Sequence, residues 1–313
     1  MNISPIDNRY RKITEPLNIY VSDFGMNKLR CTIEIEYFIF ILNKLFNIDS
    51  TNSALQNIYK NFNMNDLENI RKKEKVTNHD IKALEYFIIE KIENLENQND
   101  LELYNNYSNY VHFALTSQDI NSVTNTLMLK YSITNVVLPE LNKILTKIKD
   151  LGELWYNKYM ISKTHGQSAS TTSMGKEFYV YYERLHTQIN KLTHIDYSSK
   201  FGGAVGNMNA HIFCYPINDW ETLLSKFLLK SFNLKRNKYT TQIDHYDNLC
   251  EIFDILKRIN IILLDLNQDI WLYISYNYFK LKVNKCETGS STMPHKVNPI
   301  NFENSEGNIY LAN

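Results

Sequence analysis

The stretch that decides the fold is Asp244–Lys280, DHYDNLCEIFDILKRINIILLDLNQDIWLYISYNYFK. Within it Ile252, Leu256, Ile259, Leu263, Leu266, Ile270 and Ile274 recur at steps of four and three. At 3.6 residues per turn such positions return to one face, so this is the apolar stripe of a long helix in a bundle. Read as one helix it is roughly 55 Å long at ~1.5 Å per residue. A rod of that length needs other long helices beside it, from this chain or from other subunits. Outward from it, neither glycine nor proline occurs from Ile217 to Thr288, nor between Met26 and Leu138. Breaker-free runs of this extent favour helix throughout. Val123–Leu151 repeats the pattern through Leu127, Tyr131, Val137, Leu141, Leu145 and Ile148, with Pro139 expected to bend or interrupt it. Lys176–Leu192 is a third amphipathic helix. Asn94–Asn106 is polar and reads as a linker. The expectation is an all-α protein: a smaller N-terminal helical domain, 1–105, and a central long-helix bundle domain, 106–313. No repeat of 20–50 residues is visible.

The chain has 313 residues, 34 of them basic and 34 acidic, for a formal net charge of zero. Bulk charge therefore offers nothing to nucleic acid or to a membrane surface, and neither is an expected partner. The four cysteines, Cys31, Cys214, Cys250 and Cys286, include no CxxC pair and read as buried free thiols in a reducing compartment. The N-terminal segment MNISPIDNRY has no apolar core of a signal peptide, and no apolar run reaches the ~18 residues of a membrane span. A cytoplasmic protein is expected. The absence of HxxxH, GxGxxG, P-loop and GxSxG patterns argues against a zinc hydrolase, a dinucleotide enzyme, an NTPase and an α/β-hydrolase.

Glycine and proline gather instead at Gly166–Gly175, Gly202–Gly206 and Gly289–Pro299, where a chain this sparing with breakers needs a defined non-helical backbone. Gly289–Pro299, GSSTMPHKVNP, holds Ser290, Ser291, Thr292, His295, Lys296 and Asn298. Its cation and donors can converge on an anionic oxygen, and a serine there can act as nucleophile or base if its alkoxide is stabilised. The plainer alternative is a polar turn capping a helix that begins near Pro299. Ser162–Ser170, SKTHGQSAS, sets His165 before a glycine, with hydroxyls and Gln167 to orient a proton carrier. Thr116 and Ser117 stand where a helix could start, with Asp119 and Asn121 close by, and helix N-termini attract carboxylates and phosphates. Thr77–Asp80, TNHD, offers His79 as a proton donor or phosphate contact, against an N-cap by Asn78 or Asp80. Arg9 and Tyr10 place a cation beside a phenol.

Taken together these segments resemble a known family. GSSTMPHKVNP is similar to the signature of the fumarase/aspartase superfamily of fumarate-releasing lyases. SPIDNRY (4–10), VTNHD (76–80), HFALTSQDIN (112–121), KTHGQSAS (163–170), GAVGNMNAH (203–211), YTTQI (239–243) and HKVNPINFENSEGN (295–308) resemble its adenylosuccinate lyase family, essentially along the whole chain. The resemblance implies an all-α long-helix bundle of the fumarase/aspartase type and a homotetramer with active sites shared among subunits. It implies cleavage of adenylosuccinate to AMP and fumarate, and of SAICAR to AICAR and fumarate, with no metal or organic cofactor. Residue by residue, His165 matches the general acid that protonates the leaving nitrogen, and Ser290 the general base. His79 matches a partner of the acid. Asn78, His79, Asp80, Thr116, Ser117, Gln242 and Ser291 match substrate contacts. Lys296, Val297 and Asn298 match the segment that binds the succinyl group, with Asn304 just beyond. Arg9 and Tyr10 match phosphate contacts.

Family members continue for well over a hundred residues past the signature, so the resemblance implies that a C-terminal part is absent from this sequence. Two alternatives stay open on the sequence alone. One is another fumarate-releasing lyase of the superfamily, against which YTTQI and SPIDNRY weigh. The other is an inactive truncated or structural protein on a lyase fold, against which retention of His165, Ser290 and Lys296 weighs.

Overall fold

Helices carry most of the chain: α1 (Asp23–Phe46), α2 (Ala54–Lys60), α3 (Met64–Thr77), α4 (Asp80–Glu93), α5 (Gln98–Asn105), α6 (Ser117–Ser132), α7 (Leu138–Leu154), α8 (Met174–His194), α9 (Trp220–Phe232), α10 (Asp247–Ser275) and α11 (Ile300–Ala312). The strands are short: β1 (Tyr159–Thr164), β2 (Gln167–Ser173), β3 (Ser198–Ser199) and β4 (Lys235–Arg236). The computed structural model describes residues 8–48, 54–95, 97–282, 293 and 297–313. Two compact units are formed, one by 1–137 with 196–249, the other by 138–195 with 250–313. This division does not follow the boundary at 105/106 expected from sequence, because the long α1 packs with helices on both sides of it.

The first unit is organised by α1. Ser22 caps its start by accepting from the Gly25 N–H (3.1 Å), and Asn47 ends it in the left-handed conformation (φ 58°). The helix is apolar on nearly all sides, as a fully enclosed helix must be. Ile35, Phe38 and Leu42 pack with Leu84, Phe87 and Ile88 of α4. Ile33, Tyr37 and Ile41 pack with Ile120 and Val123 of α6 and with Leu224 and Phe227 of α9. Each such fully buried side chain contributes about 1.5–3 kcal/mol of hydrophobic stabilisation. Arg30 and Glu34 are the charged residues buried on α1. The expected linker over 94–106 contains α5. Its polar sequence conceals a capped helix, in which the Asn97 side chain accepts from the N–H groups of Asn99 and Asp100 (3.0 and 3.2 Å) and Tyr104 is buried. The interruption expected at Pro139 lies just ahead of it, as a π-helical turn over Ile133–Val137. Proline lacks the N–H that would bond one turn back, and a widened turn accommodates that loss.

In the second unit α10 begins at Asp247 rather than Asp244, and at 29 residues is roughly 43 Å long at ~1.5 Å per residue. It stops before Lys280 because Asn277 turns left-handed (φ 61°) and Tyr278 N–H bonds back to Tyr273 C=O (2.9 Å). Ile252, Ile259 and Leu266 of the expected seam are buried. Leu256, Leu263, Ile270 and Ile274 are half-buried, and Ile255 and Ile262 complete the inner face. Phe253, Ile261 and Trp271 stay exposed. Tyr181 hydrogen-bonds Asp269, and Arg184 pairs with Asp265 (2.7 Å), joining α8 to α10. Helix α11 docks on α10 through polar pairs: Asn267 to Ser305 (2.9 Å), Gln268 to Glu306 (3.0 Å) and Trp271 to Glu303 (3.3 Å).

Of the thiols, Cys31 is buried, and burial pushes its pKa well up; Cys214 and Cys250 are exposed, contrary to expectation, and Cys286 lies outside the described residues. Among the described residues no helix is long and apolar enough to cross a membrane.

Candidate active site

Two motif segments meet in the first unit. Asn78 ends α3 in the left-handed conformation (φ 53°), and its N–H bonds to Glu74 C=O (2.7 Å). The next residue, His79, is the N-cap of α4, in place of the Asn78 or Asp80 cap read from sequence. Its Nδ1 accepts from the Lys82 N–H (3.2 Å). That bond leaves the proton of a neutral imidazole on Nε2, which lies 3.4 Å from Ser117 Oγ. Thr116 and Ser117 open α6, and the Thr116 N–H donates to Asp119 (2.8 Å) in the manner of a capping box. A histidine N–H, a serine hydroxyl and the amide-rich starts of two helices thus converge at half-exposed positions, a setting suited to an anionic ligand.

Asp119 does more than cap. It is fully buried and pairs with Lys200 Nζ (2.7 Å), also fully buried. It accepts as well from the N–H groups of Gly202 (2.8 Å) and Gly203 (3.1 Å). Lys200 Nζ donates in turn to Gly203 C=O (2.6 Å). The glycine loop is therefore fastened to the start of α6. Gly203 and Gly206 have φ of +79° and +81°, and a Cβ on Gly206 would lie 2.3 Å from Thr240 C=O. This close approach seats the YTTQI segment. Asp244 anchors its far end, accepting from Ser122 Oγ (2.6 Å), the Lys200 N–H (2.9 Å) and Asn237 Nδ2 (3.0 Å). Gln242 is left exposed between these two anchors.

A polar ladder on α1 supports the same region. Arg30, Glu34 and Tyr37 recur at helical spacing on an otherwise apolar rod. Arg30 contacts Asp80 Oδ2 (2.9 Å) and Asn121 Oδ1 (2.7 Å). Glu34 bonds His112 Nδ1 (2.6 Å), and Tyr37 OH donates to Phe113 C=O (3.1 Å) or to His211 Nε2 (2.9 Å). Burial disfavours the charged form of His112, but the adjacent Glu34 carboxylate outweighs it and raises the pKa above its usual value. Burial dominates at His211 and lowers its pKa to about 4, so this imidazole is neutral. Residues 112 and 114 both adopt positive φ (61° and 58°) in the loop these contacts hold. Sequence reading passed over Arg30, Glu34 and Lys200. The available signal was a pair of opposite charges four residues apart inside an apolar helix.

In the second unit His165 occupies a β-hairpin, where a loop was expected. Strands β1 and β2 pair antiparallel with Thr164 opposite Gln167, leaving His165 and Gly166 as a two-residue turn. Both have positive φ (53° and 74°), the type I′ geometry that suits the twist of paired strands. The β-branched Thr171 and Thr172 favour the extended backbone of β2, although no apolar face drives its pairing. The His165 side chain is exposed at the tip. Tyr278 OH donates to Ile161 C=O (2.9 Å) and Lys163 Nζ lies 4.1 Å from the Tyr276 ring centre, bracing β1 along its length. Val297 and Asn298 lead into α11, which starts after Pro299 as expected, and Asn304 lies in its second turn. Arg9 is exposed and Tyr10 half-buried just before a short helical turn at Arg11–Thr14 of the first unit. Ser290, Ser291 and Lys296 lie outside the described residues. Among the described residues no group of three or more His, Cys, Asp or Glu is placed to hold a metal ion.

Comparisons with known proteins bear on the family and the fold. The lyase family model matches residues 40–310. An adenylosuccinate lyase of Dictyostelium discoideum is 45% identical over 99% of this chain, and one of Haemophilus influenzae is 42% identical over 99%. The chain spans 68% of the length of each. Among solved structures, a 3-carboxy-cis,cis-muconate lactonizing enzyme of Pseudomonas putida matches with a TM-score of 0.72 at 17% identity, covering 95% of this chain and 64% of its own. A fumarate lyase of Mesorhizobium matches with a TM-score of 0.68 at 15% identity, covering 96% of this chain and 63% of its own. At such identities these two bear on the fold alone, the all-α lyase architecture. With a family model matched along most of its length and relatives above 40% identity, this chain belongs to the lyase family, on its adenylosuccinate lyase branch.

Proposed function

We propose that this chain eliminates fumarate from adenylosuccinate to give AMP, and from SAICAR to give AICAR, by general acid–base catalysis. The observation that carries the reading is the meeting of His79 Nε2 with Ser117 Oγ (3.4 Å). They lie far apart in sequence, and each belongs to a segment matching the family's substrate contacts. In the elimination, Ser290 as alkoxide takes a proton from the carbon beside the succinyl carboxylate. The electron pair passes into an aci-carboxylate, and the C–N bond breaks as His165 protonates the departing nitrogen. Lys296, Asn298 and backbone N–H groups would stabilise the dianion where its charge develops. An exposed hairpin tip suits an acid that must reach a substrate held by other elements. Asn78, His79, Asp80, Thr116, Ser117, Gln242, Ser291, Val297 and Asn304 would complete the substrate contacts, with Arg9 and Tyr10 on the phosphate.

We further infer a cytoplasmic homotetramer with shared active sites. The exposed apolar side chains Phe253, Ile261 and Trp271 on α10 support burial against other subunits. The test is the addition of adenylosuccinate to the purified full-length protein, followed by the fall in nucleotide absorbance as AMP and fumarate form. Turnover of a different succinyl compound, with none of adenylosuccinate, overturns the assignment.

A further inference from the structure

We propose that Arg30 is a positioning residue for the reaction: its guanidinium ties the start of α4 to the start of α6, so that His79 and Ser117 face a single ligand. The inference rests on the functional reading above and adds to it a residue outside every recognised motif.

Arg30 projects from the N-terminal third of helix α1 and is 8% exposed. One terminal nitrogen lies 2.9 Å from Asp80 Oδ2 and donates to Asn121 Oδ1 at 2.7 Å. Asp80 directly follows the N-cap His79, and its other oxygen accepts from the Ile81 N–H (2.8 Å). Asn121 lies in the second turn of α6, whose first residue is Ser117. The guanidinium thus grips two acceptors from segments distant in sequence, each rigidly joined to a candidate ligand contact. Among the described residues the polar approach of His79 to Ser117 is long (3.4 Å), and the apolar packing of Ile81 with Ile120 and Val123 joins the helices without fixing the orientation of their polar starts. Without Arg30, the Asp80 carboxylate and the Asn121 carbonyl would be left as acceptors with no shared donor. Lysine could supply the charge. Its ammonium sits on a shorter, more flexible stem without the planar guanidinium that holds the terminal nitrogen between the two acceptors. Arg30 Nε is buried with no hydrogen-bond partner among the described residues. Its orientation is therefore set by the Asp80 and Asn121 contacts rather than by full satisfaction of the group.

Steady-state kinetics of the full-length protein on adenylosuccinate test this, with Arg30→Met, Arg30→Lys and Asn121→Ala compared with wild type and melting temperatures measured in parallel. A displaced ligand contact raises KM, whereas a smaller folded fraction lowers apparent kcat and leaves KM unchanged. The expected result is a kcat/KM lower by roughly a hundredfold in Arg30→Met, of which about tenfold is in KM, with partial recovery in Arg30→Lys. Unchanged KM in folded Arg30→Met overturns the proposal. If that variant fails to fold, unchanged KM in both Arg30→Lys and Asn121→Ala overturns it equally. Wild-type turnover keeps the two readings apart. A wild-type enzyme that does not act on adenylosuccinate sinks the functional assignment, and this inference with it.

Discussion

Replacing Lys200 by Met should strip the ammonium from a site where both partners are fully buried and the pair is 2.7 Å apart. The Asp119 carboxylate then loses its counter-charge, and Gly203 C=O loses the donor at 2.6 Å that Lys200 supplied. Breaking a buried pair from one side costs about 3–5 kcal/mol, because an uncompensated charge stays behind. Asp119 keeps three backbone donors, from Thr116, Gly202 and Gly203, and that favours the lower end, about 3 kcal/mol. Against a typical total of about 5–15 kcal/mol this is a large fraction. It corresponds to a melting temperature lower by about 6–12 °C for a unit of this size. Urea titration followed by far-UV circular dichroism should show a lower midpoint at unchanged slope. The double variant Lys200→Met with Asp119→Asn should lose less than the sum of the two single losses, since the orphaned charge is gone. A loss under about 1 kcal/mol for Lys200→Met, or strict additivity, would refute the picture of a dry ion pair joining the glycine loop to α6.

His165→Asn separates turn from chemistry. Asn-Gly is a favoured type I′ pair, so the hairpin and the melting temperature should be retained while turnover falls at least a hundredfold with loss of the acid; retained activity would remove His165 from its assigned role. Gly206→Ala places a Cβ 2.3 Å from Thr240 C=O at a φ of +81°, and should cost at least about 1–2 kcal/mol and raise KM by shifting Gln242. An unchanged KM would separate the loop from substrate binding. His211 has a folded pKa of about 4 against an ordinary value near 6.5, so the unfolded chain takes up its proton first and stability falls as pH drops between those values. From pH 7 to 5 this amounts to about 2 kcal/mol, which His211→Gln should abolish in pH-dependent denaturation. His112 has the opposite sign. Its raised pKa contributes stability that is fully present below the unfolded value and is lost as pH rises through the folded one, so His112→Gln should cost most in acid.

How much of this was legible in the sequence differs from element to element. The seam from Ile252 to Ile274 disclosed α10, but the stop at Asn277 depends on a left-handed residue that no periodicity marks. Lys176–Leu192 lies wholly within α8. The strands around His165 are not legible in the sequence because β1 is short and β2 is polar and exposed along most of its length, so strand pairing there comes from turn geometry and backbone hydrogen bonds. The helix α5 was missed because polar composition is a weak guide once an Asn caps the turn.

The sequence by itself determined the helical class and the motif residues, because helical periodicity, the scarcity of breakers and the chemistry of side chains are local properties. It also carried enough of the motifs to indicate the family. Tertiary structure alone decided that His79 meets Ser117, that Asp119 and Lys200 form a buried pair, and that Arg30 bridges Asp80 and Asn121. These are through-space contacts between segments tens of residues apart. Whether a charge on a helix faces water or a partner depends on what the rest of the chain packs against it, and one helix's period records only which face it lies on.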